Sequence, residues 1–136
     1  MTTYLLDTDI AIELLRGRNV HVAEQLASRN RNAIFLSTVT VAELMFGALR
    51  SWKPQESTVI CRQFCSAFQL VELDQDAGER SGVIRADLES RGEGIGAYDV
   101  LIAGIASARG HVLATHNVRE FGRVAGLQIE DWAAIP

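Results

Sequence analysis

Cysteine, proline and lysine are all scarce in this chain, and each scarcity excludes something. Of 136 residues, two are Cys, two are Pro and one, Lys53, is Lys. Two thiols cannot close a tetrahedral zinc site, and no Cys/His pair with zinc-ligand spacing lies near them. Cys61 and Cys65 stand four apart in a helical segment and read as reduced packing residues. Two Pro and 11 Gly exclude collagen-like and low-complexity chains. No apolar stretch approaches the ~18 residues of a membrane span. The start, Met1-Thr2-Thr3-Tyr4, has no basic region of a signal peptide, so the cytoplasm is the expected location. Positive charge is short as well, with 13 Lys and Arg against 17 Asp and Glu and a formal net charge of -4. This excludes a protein that coats nucleic acid through a basic field, but not an enzyme that grips a phosphodiester through metal ions.

What the chain has is apolar residues, 48% of the total, enough for one buried core in a single domain over residues 1–136. Short β-like runs alternate with longer helical ones. Strands are expected at Tyr4–Leu6, Ala33–Ser37, Leu70–Leu73 and Val112–Ala114, with a last edge strand at Leu127–Ile129. Helices are expected at Ile10–Arg16 with Asp9 as its cap, Val20–Arg29, Val39–Leu49, Glu56–Ala67, Ala77–Arg91 and Tyr98–Ala108, the last closed by Gly110. A short turn of helix is expected around Arg119–Phe121. Gly92, Gly94 and Gly96 read as a flexible connection that could gate a crevice. The alternation predicts an α/β fold with a mainly parallel central sheet flanked by helices, and such sheets bind ligands beyond the carboxyl ends of their strands.

Notable side chains stand at those ends. Asp7 follows the first strand, and His116-Asn117 follow Val112-Leu113-Ala114-Thr115. Glu43 and Asp99 lie in apolar helices that should face the sheet. No basic residue stands three or four positions from Glu43, and its i+4 neighbour is Gly47, whose missing side chain leaves room for a ligand. Taken singly, an Asp after a strand is a helix cap, Asp99 serves a helix dipole, and Glu43 is a solvated residue. Together, carboxylates in one crevice must take up protons or hold a cation. Oxygen ligands select Mg²⁺ or Mn²⁺ over zinc, and such an ion suits phosphate chemistry.

Four segments carry a family resemblance. Tyr4-Leu5-Leu6-Asp7-Thr8-Asp9 and Ser37-Thr38-Val39-Thr40-Val41-Ala42-Glu43-Leu44 resemble the first two acidic motifs of PIN-domain nucleases. Tyr98-Asp99-Val100-Leu101-Ile102-Ala103 resembles the third, and Ala114-Thr115-His116-Asn117-Val118-Arg119-Glu120-Phe121 the last. Order, spacing and length resemble the VapC-type ribonuclease toxins of toxin–antitoxin pairs, over nearly the whole chain. The resemblance implies a PIN-like three-layer fold and a Mg²⁺- or Mn²⁺-dependent endoribonuclease acting on a tRNA or another structured RNA. Asp7, Glu43 and Asp99 fall on the acidic positions, with Asp7 and Asp99 as the implied metal ligands. Asn117 falls where many members carry a fourth Asp, a departure that removes one charge; Glu120 is placed to supply it. The implied partners are a cognate VapB-type antitoxin, the RNA substrate and a second copy of the chain in a homodimer.

Two other readings stay open on the residues alone: a metal-free ribonuclease using His111 or His116, and a module whose acids hold a cation without catalysis. His116 reads as a surface residue, Trp52 and Trp132 read as packing residues, and Arg16, Arg18, Arg50 and Arg119 are candidate phosphate contacts.

Overall fold

The computed structural model describes residues 1–135. Its centre is a sheet of five short strands: β1 (Tyr4–Leu6), β2 (Ile34–Ser37), β3 (Gln69–Val71), β4 (Val112–Thr115) and β5 (Ile129–Asp131). They lie in the order β3-β2-β1-β4-β5, and every pairing is parallel. Seven α-helices cover it: α1 (Thr8–Arg16), α2 (Val20–Ala27), α3 (Thr38–Leu49), α4 (Pro54–Ser66), α5 (Gln75–Ser90), α6 (Ala97–Arg109) and α7 (Val118–Phe121). Parallel neighbours need crossovers, and here the crossovers are these helices.

Successive strand residues point to opposite faces, and this builds two cores. Leu5 and Leu113 face α5 and α6, where they meet Ile84, Leu88, Ile102 and Ile105. Leu6, Ile34, Leu36 and Ala114 face the other way, against Ile10, Val22, Leu44 and the reduced Cys61 and Cys65. The result is three layers, helix–sheet–helix, with the central β1 and β4 buried on both sides.

Most boundaries move by a residue or two from the expected ones, for reasons seen in the caps. Helix α1 starts two residues early, at Thr8, because Asp7, not Asp9, is its N-cap, accepting from the Thr8 N–H at 2.8 Å. Ser37 caps α3, and Pro54 opens α4 at a position where its missing N–H costs nothing. The last strand lies two residues beyond the expected Leu127–Ile129, because Gly126 turns the chain with a φ of +77° before Leu127 packs on the core. Trp132 is buried as expected, donating from Nε1 to Glu130. Trp52 is not a packing residue: it stands 95% exposed in the turn between α3 and α4, where no second layer covers it. The segment Gly92–Gly96 is bound at several points, since Arg91 bonds Asp87, Glu93 and the Arg123 carbonyl, and Arg123 reaches the Gly94 carbonyl.

Helices α5 and α6 approach each other closely at Gly104. A Cβ built on Gly104 would lie 1.9 Å from Ser81 Oγ and 2.8 Å from the Ala77 carbonyl oxygen. Gly104→Ala is expected to destabilise the fold by about 1–3 kcal/mol, the usual cost of overpacking. Ser81→Ala should rescue it only in part, because the backbone contact remains. Thermal melts of the single and double variants check this.

Candidate active site

The carboxyl ends of β1 and β4 open side by side, joined by the bond from the Asp7 N–H to the Ala114 carbonyl. Asp7 is the first residue past β1 and is only 4% exposed. Its two oxygens are both engaged: Oδ1 accepts from the Thr8 N–H and Oδ2 from the Thr115 hydroxyl, each at 2.8 Å. Thr115 Oγ1 in turn accepts from the Asn117 N–H at 2.9 Å. The end of β4 thus aims the end of β1.

Burial, first of all, pushes the Asp7 carboxyl up to about 8; the charge and contact of Asp9 add to this, Thr115 opposes it, and Asp99 raises it further. Asp99, in the first turn of α6, is pushed up to about 6 by burial and then by the charges of Glu43, Glu120 and Asp9. Asp7, Asp9, Glu43, Asp99 and Glu120 therefore share one crevice, each inside the field of another. Asp9 accepts from the His116 N–H through Oδ2, while its Oδ1 is buried with no hydrogen-bond partner, alone in this among side-chain polar atoms of the described residues.

Glu43 reaches the crevice from α3, accepting from the Thr8 hydroxyl at 2.7 Å. The space beside Gly47 is open, as expected for a ligand approach. Asn117 caps α7 through Oδ1 and donates from Nδ2 to Glu120 Oε2 at 3.0 Å, so its amide holds Glu120. His116 is exposed at the rim, its ring bonded to Asp131 at 3.1 Å, which raises its pKa. His111 lies at the opposite end of β4, bonded to Thr3 at 2.6 Å, and burial lowers its pKa. Arg16, Arg18, Arg50 and Arg119 are all exposed, and none forms an ion pair among the described residues.

The donor set is all oxygen. Among the described residues no three His, Cys, Asp or Glu side chains converge into a direct metal cage. That arrangement suits a hard cation that keeps much of its water and takes one or two carboxylates, and the orphaned Asp9 oxygen together with two raised carboxyls marks where positive charge is wanting. The hydroxyl partners Thr8, Thr40 and Thr115 were not singled out from sequence. Thr8 and Thr40 carry a positional signal, beside Asp7 in the chain and one turn before Glu43 on α3, whereas Thr115 has no acid beside it in the chain.

Comparison with known proteins gives the family and the fold. Residues 4–127 match the PIN domain family. The chain is 36% identical over 132 residues to the tRNA(fMet)-specific endonuclease VapC of Salmonella typhimurium, covering 97% of this chain and 99% of that one. It is 33% identical to Ribonuclease VapC2 of Haemophilus influenzae, with the same coverage. The crystal structure of DNA-bound VapBC from Salmonella typhimurium superposes with a TM-score of 0.91 at 36% identity, over 97% of this chain and 99% of that chain. VapBC-1 from nontypeable Haemophilus influenzae gives 0.88 at 31%, over 98% and 100%. A family model that spans most of the chain and relatives of the same length agree: the chain belongs to the PIN-domain family, among the VapC proteins.

Proposed function

We propose that this chain is a divalent-cation-dependent endoribonuclease toxin, restrained by a small VapB-type antitoxin. The observation that carries the reading is the buried Asp7 carboxyl at the open ends of β1 and β4, raised by burial and by Asp9, with Asp99 beside it inside the fields of Glu43, Glu120 and Asp9. The names of the relatives support RNA as substrate, with an initiator tRNA as the first RNA to test. Their recorded complexes support the antitoxin. Among the described residues no helix is long and apolar enough to cross a membrane.

Asp7 and Asp99 are the residues that would hold Mg²⁺ or Mn²⁺. When bound, such an ion neutralises phosphate charge and makes water easier to deprotonate. Asp7 is kept in place by Thr8 and Thr115, and Asp99 by the first turn of α6. Glu43 has one oxygen committed to Thr8 and the other free to take a proton from the attacking water. Water oxygen bonds to phosphorus, the bond from phosphorus to O3′ breaks, and O3′ takes a proton from solvent. The products carry 5′-phosphate and 3′-hydroxyl ends. Asn117 keeps Glu120 turned toward Asp99, so that a carboxylate stands near the place of the fourth acid. The cation-free histidine route finds less support: His111 is at the wrong end of the sheet and His116 is tied to Asp131.

Asp7→Ala is expected to abolish RNA cleavage while circular dichroism stays native; excess EDTA should silence the wild type, and Mn²⁺ should restore it. Sequencing of RNA ends after brief expression of each form checks the product chemistry. Full activity in Asp7→Ala, or in EDTA, would contradict the reading.

The raised carboxyls also predict a pH dependence. The folded state binds protons at Asp7 and Asp99 more tightly than the unfolded chain does. Stability of the cation-free protein therefore falls as pH climbs from the ordinary carboxylate value of 3.8 toward about 6 for Asp99 and about 8 for Asp7. Asp7→Asn should raise the Tm at pH 8 by roughly 3–8 °C. Added Mg²⁺ should stabilise the wild type and leave the variant almost unmoved. Calorimetric melts between pH 5 and pH 9 check both.

A further inference from the structure

Behind the Thr8 hydroxyl that holds Glu43 lies a row of buried hydroxyls that the mechanism above does not use. Thr8 Oγ1 donates to Glu43 Oε1 at 2.7 Å. Thr8 Oγ1 and Thr40 Oγ1 are 2.9 Å apart, and Ser37 Oγ donates to Thr40 Oγ1 at 3.3 Å. Ser37 and Thr40 are fully buried and Thr8 nearly so. A hydroxyl has one proton to give. The carboxylate has none, so the Thr8 proton goes to Glu43. Thr40 must then give its own proton to Thr8, and Ser37 gives its proton to Thr40. Ser37 Oγ is itself fixed as an acceptor of the Thr40 N–H at 3.0 Å. The three donors all point one way.

We propose that Thr8 and Thr40 are positioning residues, the last links of a one-way hydroxyl chain from Ser37 that fixes the Glu43 carboxylate in the crevice. Aligned hydrogen bonds in a dry interior polarise one another, so the final donor to Glu43 is stronger than an isolated threonine. The chain commits Oε1 and leaves Oε2 as the oxygen that meets the water. It also joins two acids that are 36 positions apart: Thr8 serves Asp7 through its backbone N–H and Glu43 through its hydroxyl. A solvated glutamate on a helix would have to lose several rotamers to reach the same geometry, whereas this one is held before substrate arrives. The catalytic consequence rests on the nuclease reading; the geometry of the chain does not.

The test compares wild type, Thr8→Val, Thr8→Ser and Thr40→Val on a tRNA(fMet) transcript with Mn²⁺, with Asp7→Ala as the inactive reference. Valine keeps the shape of threonine and removes the donor. Thr8→Val is expected to lower kcat roughly 10–100-fold, as loss of an outer-shell partner does, with KM within about twofold. Thr8→Ser should restore most of it. Thr40→Val, which touches no acid, should give a smaller loss of the same kind. Proton NMR of the cation-free protein supplies a readout apart from activity: the Thr8 and Thr40 hydroxyl protons should be protected from exchange, and Thr8→Val should remove one signal and shift the other. Wild-type-like kcat in Thr8→Val, no rescue by a folded Thr8→Ser, or rapidly exchanging hydroxyl protons would each overturn the proposal. An inactive wild type with both hydroxyl protons protected would refute the nuclease reading and leave the chain standing.

Discussion

The carboxyl of Asp7 is held against its own electrostatics. It sits almost out of water, beside Asp9 and within the field of Asp99, and it is kept there by two hydrogen bonds that the ends of β1 and β4 supply. Leaving like charges together in a dry crevice costs stability unless protons or a cation answer them. The rest of the site follows from that constraint. Asp99 lies in the fields of Glu43, Glu120 and Asp9, and one buried oxygen of Asp9 has no hydrogen-bond partner.

The fold makes the crowding possible. A parallel sheet ends all its strands at one edge, and the helices that begin there bring their first turns to the same place. Four of the five acids ride on first turns or strand ends: Asp7, Asp9, Asp99, and Glu120 in the short α7 that follows β4. Only Glu43 lies deeper in its helix, more than a turn and a half past the Ser37 cap, and it takes a hydrogen bond from a hydroxyl of a neighbouring helix, that of Thr8.

Much of this was legible in the residues. Alternating apolar runs separated by helical patterns are enough to expect a parallel α/β sheet, and an Asp directly after Tyr4-Leu5-Leu6 is enough to place one acid at its edge. The third dimension was not legible. Nothing in the spacing says that Thr115 bonds Asp7 across 108 positions, or that the Asn117 amide is spent on Glu120. Asp9 looked like the helix cap because its neighbours turn helical, but Asp7 takes that role, freeing Asp9 for His116. Trp52 looked like core because tryptophan usually is, yet the turn that carries it has no layer above it. The glycine-rich stretch before α6 suggests a gate because glycine is permissive, and in the structure Arg91 and Arg123 pair with Glu93 inside it.

Anomalous scattering from crystals soaked in Mn²⁺ tests the central claim most directly. The account predicts one strong peak between the carboxyls of Asp7 and Asp99 in the wild type, absent from Asp7→Asn crystals soaked in the same way. Manganese bound elsewhere, with no peak between those two acids, would contradict it.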